Sequence, residues 1–210
     1  MIIPVNKEKA LKEFKEKYVD NAFSKEEVNN YIHVNNKKIK SNIISKFQEV
    51  FKKAINFQEE GRKGDIKYIY ISYLRAYLLE DKVIFRIDLY DENWFLDKEE
   101  CSIYIDLSDV FSNLFSVYES LKVKRKEYNR VITEMDLENI KISAWKEYKN
   151  ISIYIFKNMV PSIINCELYK SMKKKEILIM AGEYRDDVTL IYSEDKDVGG
   201  EDGLFFIKAR

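Results

Sequence analysis

An α+β fold is predicted by three features of the sequence. Apolar residues recur at helical spacing through most of 6–57, 106–128 and 136–160. Two segments, 66–91 and 176–193, alternate apolar and polar residues and are rich in Ile, Tyr, Phe and Val, as β-hairpins are. Gly occurs 6 times and Pro 2 times, so few tight turns and few loose linkers interrupt these segments. The expected architecture is two antiparallel hairpins forming one small sheet, packed against several amphipathic helices. The whole of 1–210 is expected to be one α+β domain with a helical N-terminal portion, 1–60.

The first helix is expected over 6–19, where Ala10, Leu11, Phe14 and Tyr18 share a face. Ser24 and Glu27 have the spacing of a capping box, in which hydroxyl and carboxylate each satisfy an orphan backbone N–H. A second helical region follows to about Phe57, carried by Val28, Tyr31 and Ile32 and then by Ile39, Ile43, Ile44, Phe47, Val50, Phe51 and Ala54. Val34-Asn35-Asn36 is expected to break it in two, because asparagine competes for backbone hydrogen bonds. Gly61 and Gly64 end this helical part.

Closing the first hairpin at a two-residue turn, Asp81-Lys82, sets Leu74, Ala76 and Leu78 opposite Leu89, Ile87 and Phe85. The opposite face then shows Tyr77 beside Arg86, Arg75 beside Asp88 and Tyr73 beside Tyr90, with Trp94 just beyond. A third strand is expected over 102–105. Asp106 should cap a helix running to about Tyr128, since Leu107, Val110, Phe111, Leu114, Phe115, Tyr118 and Leu121 lie on one stripe. Residues 136–160 read as helix, which Pro161 should kink or restart for lack of an N–H. The second hairpin turns at Tyr184-Arg185-Asp186-Asp187. The apolar run Leu204-Phe205-Phe206-Ile207 is expected to pack back as a strand.

Charge limits the functional classes. Lys plus Arg and Asp plus Glu number 36 each, so no bulk attraction to nucleic acid or to an anionic membrane follows. The abundance of Lys, Ile, Asn and Tyr points to an AT-rich coding sequence. No apolar run approaches the roughly 18 residues of a membrane span, and the first six residues lack a signal-peptide pattern. With Cys101 and Cys166 as the only thiols, a reducing, cytoplasmic location is expected and no membrane partner.

Catalytic chemistry finds little support. His33 is the only histidine, and it lies in an amphipathic helical segment, so it reads as structural. The two cysteines lack the spacing of a zinc or redox motif, and Glu99-Glu100 should dull Cys101 as a nucleophile. Acidic clusters at 91–100 and 183–187 lack the pattern of a calcium loop, and turn aspartates bond their own backbone. Gly199-Gly200-Glu201-Asp202-Gly203 lacks the Lys-Ser/Thr of a phosphate loop. No metal and no cofactor are expected. Lys37, Lys38, Lys40, Lys46, Lys52 and Lys53 make a basic stretch without arginine, which reads as a solvated helix face, and nucleic-acid binding is not favoured.

The hairpin face is the best candidate surface. Tyrosine and arginine are what protein interfaces enrich, because they join contact area to directed hydrogen bonds. The expected function is a non-catalytic protein-binding or regulatory module, engaging a protein partner through Tyr73, Arg75, Tyr77, Arg86, Asp88, Tyr90 and Trp94. The rival is a histidine-independent enzyme or small-molecule binder using Arg75, Arg86, Asp88, Glu183 and Arg185 in a pocket between sheet and helices. A weaker rival binds nucleic acid through 37–53.

Overall fold

The structure is a computed structural model and describes residues 6–194. The described residues form six α-helices and one five-stranded mixed sheet, an α+β fold. They separate into two compact units. One comprises the described residues up to Val34 with Ser108–Lys149, and is helical. The other comprises Asn35–Leu107 with the described residues from Asn150 onward, and holds the sheet.

Helix α1 (Lys7–Tyr18) begins where the Asn6 side chain accepts the Lys9 N–H at 3.1 Å. Helix α2 (Lys25–Glu59) begins at Ser24, whose hydroxyl accepts the Glu27 N–H at 3.2 Å. The reciprocal half of the expected capping box is not made, because the Glu27 carboxylate accepts from the Asn113 amide instead. Nor does α2 break at Val34-Asn35-Asn36. Asparagine in a helix interior costs well under about 1 kcal/mol, whereas burying a large apolar side chain gains about 1.5–3. Ile43, Phe47 and Phe51 are each fully buried along the same helix. The helix ends as Gly61 adopts a left-handed φ of 69°, while Arg62 N–H bonds the Phe57 carbonyl and Gly61 N–H that of Gln58. This satisfies carbonyls that the helix leaves orphaned.

Strand β1 (Ile66–Tyr73) pairs antiparallel with β2 (Ile84–Tyr90), but not across a two-residue turn. Arg75–Leu79 coil into a short helix, α3, which connects the two strands. Asp88 therefore faces Tyr70 and not Arg75, a shift of five residues, and Tyr90 faces Tyr68 and not Tyr73. Arg86 faces Ser72 and not Tyr77. Because the shift is odd, it exchanges the two faces of the first strand. In the expected register most of Ile66–Tyr73 would overhang the end of β2. The observed register matches the β-branched and aromatic run Ile-Lys-Tyr-Ile-Tyr-Ile-Ser-Tyr to Ile-Phe-Arg-Ile-Asp-Leu-Tyr, and frees the good helix formers Leu, Arg and Ala to coil.

Strand β3 (Ser102–Asp106) pairs antiparallel with β2, as expected of a third strand. Asp106 closes this strand and does not cap a helix; α4 starts later, as Ser112–Lys124, and passes into a 3-10 turn at Arg125–Tyr128. Helix α5 (Glu134–Ile164) is continuous and runs through Pro161. Pro161 lies in its last turn, so one carbonyl on the exposed Lys157 side loses a partner, and Asn165 donates to the Pro161 carbonyl at 2.7 Å. Helix α6 (Glu167–Ser171) leads to the second hairpin, β4 (Lys174–Glu183) and β5 (Val188–Ser193). Strand β4 pairs parallel with β1, so the sheet order is β3-β2-β1-β4-β5. The expected strand at 204–207 and the glycine-rich segment 199–203 lie outside the described residues.

One face of the sheet is core. Ile69, Ile71, Ile87, Leu89, Ile105, Ile177 and Ile179 are fully buried on it. Phe156 of α5 meets Phe85 edge to face at 5.0 Å, and the Val50 carbonyl of α2 accepts the Cys101 thiol at 3.7 Å. Gln58, at the end of α2, donates to the Gly64 and Lys173 carbonyls and accepts the Lys173 N–H, which ties α2 to the starts of β1 and β4. The helical unit has its own core of Phe14, Tyr118, Leu121, Ile132, Leu137 and Ile140. The ammonium of the buried Lys141 sits 4.0 Å from the centre of the Tyr118 ring there.

Gly182 fixes the second hairpin. A Cβ there would lie 2.1 Å from the Asp187 carbonyl oxygen and 2.8 Å from Val188 Cα, both backbone atoms. Gly182→Ala is expected to destabilise the protein by about 2 kcal/mol, within the usual range for overpacking. A urea midpoint equal to that of the wild type would refute this.

Candidate functional site

The opposite face of the sheet is built by the other half of each strand. Tyr68, Tyr70 and Ser72 of β1 stand beside Tyr90, Asp88 and Arg86 of β2, and Tyr104 of β3 stands beside Arg86. Met180 of β4 and Val188 and Leu190 of β5 continue the face. Tyr70, Met180 and Val188 form a buried cluster, with Tyr68, Tyr90, Trp94, Phe95, Tyr184 and Leu190 packed half-buried against it. All of these come from strands or from the two connections beside them, and none from an α-helix.

The β2–β3 connection lays two aromatic rings on this face. Trp94 holds a left-handed φ of 57°, uncommon for a bulky residue. It meets Tyr68 edge to face at 4.0 Å, Phe95 at 5.0 Å and Tyr90 at 6.0 Å. The connection is pinned from beneath by Lys63, whose side chain is wholly buried. Its ammonium donates to Asp97 and to the Glu99 carbonyl. Asp97 in turn accepts the N–H groups of Asp91 and Glu99. A left-handed Trp94 is therefore held by a closed set of hydrogen bonds, the setting in which backbone strain persists.

Arginines and aromatic rings alternate across the face. The Arg86 guanidinium lies 5.9 Å from the Tyr104 ring and 5.6 Å from the Tyr184 ring. Arg185 lies 5.3 Å from Tyr184 and 5.7 Å from Phe95. The order is Tyr104, Arg86, Tyr184, Arg185, Phe95. Each such contact is worth about 0.5–1 kcal/mol where exposed and more where water is excluded. Tyr70 anchors the second turn, donating to the Glu183 carbonyl at 2.6 Å and accepting the Arg185 N–H at 3.1 Å.

Arg86 and Asp88, neighbours on one strand, form an ion pair at 2.7 Å with side chains 17% and 2% exposed. Burial alone would lower Arg86, but its hydrogen bonds to Asp88 outweigh that and hold the guanidinium above its ordinary value. Burial pushes the Asp88 carboxyl up despite Arg86, because one guanidinium does not replace its lost hydration. Burial likewise raises the Tyr70 and Tyr90 hydroxyls, so both stay neutral. The Ser72 hydroxyl is buried without a hydrogen-bond partner among the described residues.

Of the residues singled out in the sequence, Arg86, Asp88, Tyr90 and Trp94 share this face. Tyr73 and Arg75 do not. They meet each other through Glu183, whose carboxylate accepts from the Tyr73 hydroxyl and from Arg75 at 2.7 Å. Tyr77 lies on α3, away from Arg86 in register. Tyr68, Tyr70, Phe95, Tyr104 and Tyr184 were missed. The alternation Tyr68-Ile69-Tyr70-Ile71 carried the signal for the first two, since aromatic and aliphatic side chains there take opposite faces.

Elsewhere, His33 is exposed on α2. Burial is the main cause that pushes the Cys101 thiol up to about 11, with smaller contributions from Asp97 and Asp88. Among the described residues no group of three or more His, Cys, Asp and Glu side chains is placed to hold a metal ion. No helix among them is long and apolar enough to cross a membrane. No protein-family model, curated protein or solved structure matches the chain.

Proposed function

We propose that the protein is a non-catalytic binding module, and that the aromatic face of the sheet docks a protein partner. The observation that supports this is the cation–aromatic ladder: a rigid array of rings and guanidinium groups, on a sheet face to which no α-helix contributes. Large rings fixed in place lose little entropy on contact, and tyrosine and arginine dominate the energetics of interfaces. Two apolar groups are already presented to solvent there. Tyr104 is 46% exposed, and Leu96, in the same turn as Trp94, is 84% exposed.

Charge narrows the partner. The exposed carboxylates around the face are Glu92, Glu100, Asp186 and Asp187, against the exposed cations Lys98 and Arg185. An acidic rim around an aromatic centre fits a partner surface with an apolar anchor ringed by lysine or arginine. Of the other polar groups, Arg86 is held by Asp88 and Glu100, and the Tyr70 hydroxyl by the second turn.

The test is face-dependent capture. Wild-type protein, Leu96→Lys with Tyr104→Lys, and Tyr154→Lys on an exposed α5 position are each used as bait at two salt concentrations. The reading predicts a partner lost by at least about 30-fold in affinity from the double variant, as for an interface hot spot, and retained by Tyr154→Lys. Its capture should also weaken with salt. Equal capture by all three baits, or none by the wild type, refutes the reading.

A further inference from the structure

A basic cleft in the helical unit has no part in the sheet face. It follows the 3-10 turn at Arg125–Tyr128 and ends at the start of α5. Arg125, Lys126, Asn129, Arg130, Ile132 and Thr133 line an open cavity of about 540 Å³. Such a volume suits a small molecule. We infer that this cleft binds a phosphate-bearing small molecule through Lys126 and Arg130.

Three observations support the inference. The first is that the nearby carboxylates are already engaged. Glu134 accepts from Arg125 at 2.7 Å and from the Tyr118 hydroxyl at 3.0 Å. Glu127 turns to the Tyr18 hydroxyl and to Lys17 and Lys124. Asp136 accepts from Lys7 at 3.0 Å and from the Thr133 N–H and hydroxyl. Burial alone would raise Asp136, but these donors outweigh it and hold its carboxyl below the ordinary value, so its charge is committed. Among the described residues no carboxylate pairs with Lys126 or Arg130, and each carries its charge into the cleft unopposed.

The second observation is backbone geometry. Asn129 and Arg130 take left-handed φ values of 45° and 68° directly after the right-handed 3-10 turn. That change of hand turns successive N–H groups to one side, the arrangement that cradles anions. No hydrogen bond to the Arg130 N–H occurs among the described residues.

The third is the match of charge and shape. Two unpaired cations suit a dianion, and a single carboxylate would leave one unmet. The planar fork of Arg130, the Asn129 amide and an unused N–H supply directed donors for the oxygens of a tetrahedral group. The buried Ile132 gives an apolar floor for the rest of the molecule. A nucleic acid is disfavoured, because it needs a track of cations and the flanks carry Glu119, Glu127, Glu134 and Glu138.

The test uses the full chain and amide NMR shifts, with inorganic phosphate, pyrophosphate and a generic single-stranded RNA as probes. Saturable pyrophosphate shifts confined to 125–133 are expected. Lys126→Ala with Arg130→Ala should weaken binding at least about tenfold, since hydrogen bonds between charged groups carry that much. Both side chains are exposed, so the fold should survive. Arg130→Lys, which keeps charge and loses the fork, should fall between. Absent or unsaturable shifts, shifts spread over all lysines, binding indifferent to these variants, or RNA bound at the cleft more tightly than pyrophosphate would each overturn the inference.

Discussion

Lys63→Met should destabilise the protein by about 3 kcal/mol. The substitution keeps most of the side-chain stem and removes the ammonium. It leaves the Asp97 carboxylate, 3% exposed, without its counter-charge, and the Glu99 carbonyl without a donor. Breaking a buried ion pair costs about 3–5 kcal/mol. The lower end applies because Asp97 keeps the N–H groups of Asp91 and Glu99. The damage should concentrate in the β2–β3 connection, so Trp94 should become more exposed and its fluorescence shift to the red. Adding Asp97→Asn to Lys63→Met should recover part of the loss, because it removes the unpaired charge while its single amide oxygen can still accept one of the two N–H groups, which bond different carboxylate oxygens in the wild type. Chemical denaturation settles it: a loss below about 1 kcal/mol, or no recovery in the double variant, would show that the pair does not hold the connection.

A second large effect is expected from Arg86→Met, about 3–5 kcal/mol at neutral pH. The thioether fills part of the space between Tyr104 and Tyr184, but the buried Asp88 loses its guanidinium. The dependence on pH carries the diagnosis. Burial already holds Asp88 above its unfolded value in the wild type, and losing Arg86 raises it further. A carboxyl raised in the folded state binds a proton there before it does in the unfolded chain. The penalty is therefore complete above the folded value and fades as pH falls toward the unfolded value, near 3.9. The gap between variant and wild type should narrow on acidification, and Arg86→Met with Asp88→Leu should recover most of it at neutral pH. A gap that stays constant from pH 7 to pH 4 would mean that lost ring stacking, not an orphaned charge, is responsible.

How much of this face the sequence discloses depends on the strand. In β2, Phe85, Ile87 and Leu89 alternate strictly with Arg86, Asp88 and Tyr90, and the strand takes the faces this pattern implies. Its partner is ambiguous, because two apolar alternations are on offer, Ile69 and Ile71 at odd positions and Leu74, Ala76 and Leu78 at even ones. Either register sets apolar opposite apolar. What decides it is the β-branched and aromatic content of β1, together with the parallel pairing to β4, which no local pattern announces. The burial of Lys63 was equally hidden. In sequence it belongs to a polar stretch after a helix, and only folding brings Asp97 to it. The expected break in α2 shows the converse, a weak local preference outweighed by buried phenylalanines.

Strand β1 lies between β2, its near neighbour in the chain, and β4, more than a hundred residues later. On the ribosome, the middle of the sheet therefore has one side unmatched until nearly all of the described chain has emerged. A nascent chain at that stage carries a Tyr-Ile-Tyr-Ile ribbon with open backbone donors and acceptors, the kind of edge that recruits other chains. Contacts this distant also slow folding, since loop closure comes before any gain from pairing. Chaperone dependence during synthesis, and a bias toward aggregation in fragments that stop short of residue 174, are the expected consequences of placing the parallel partner last.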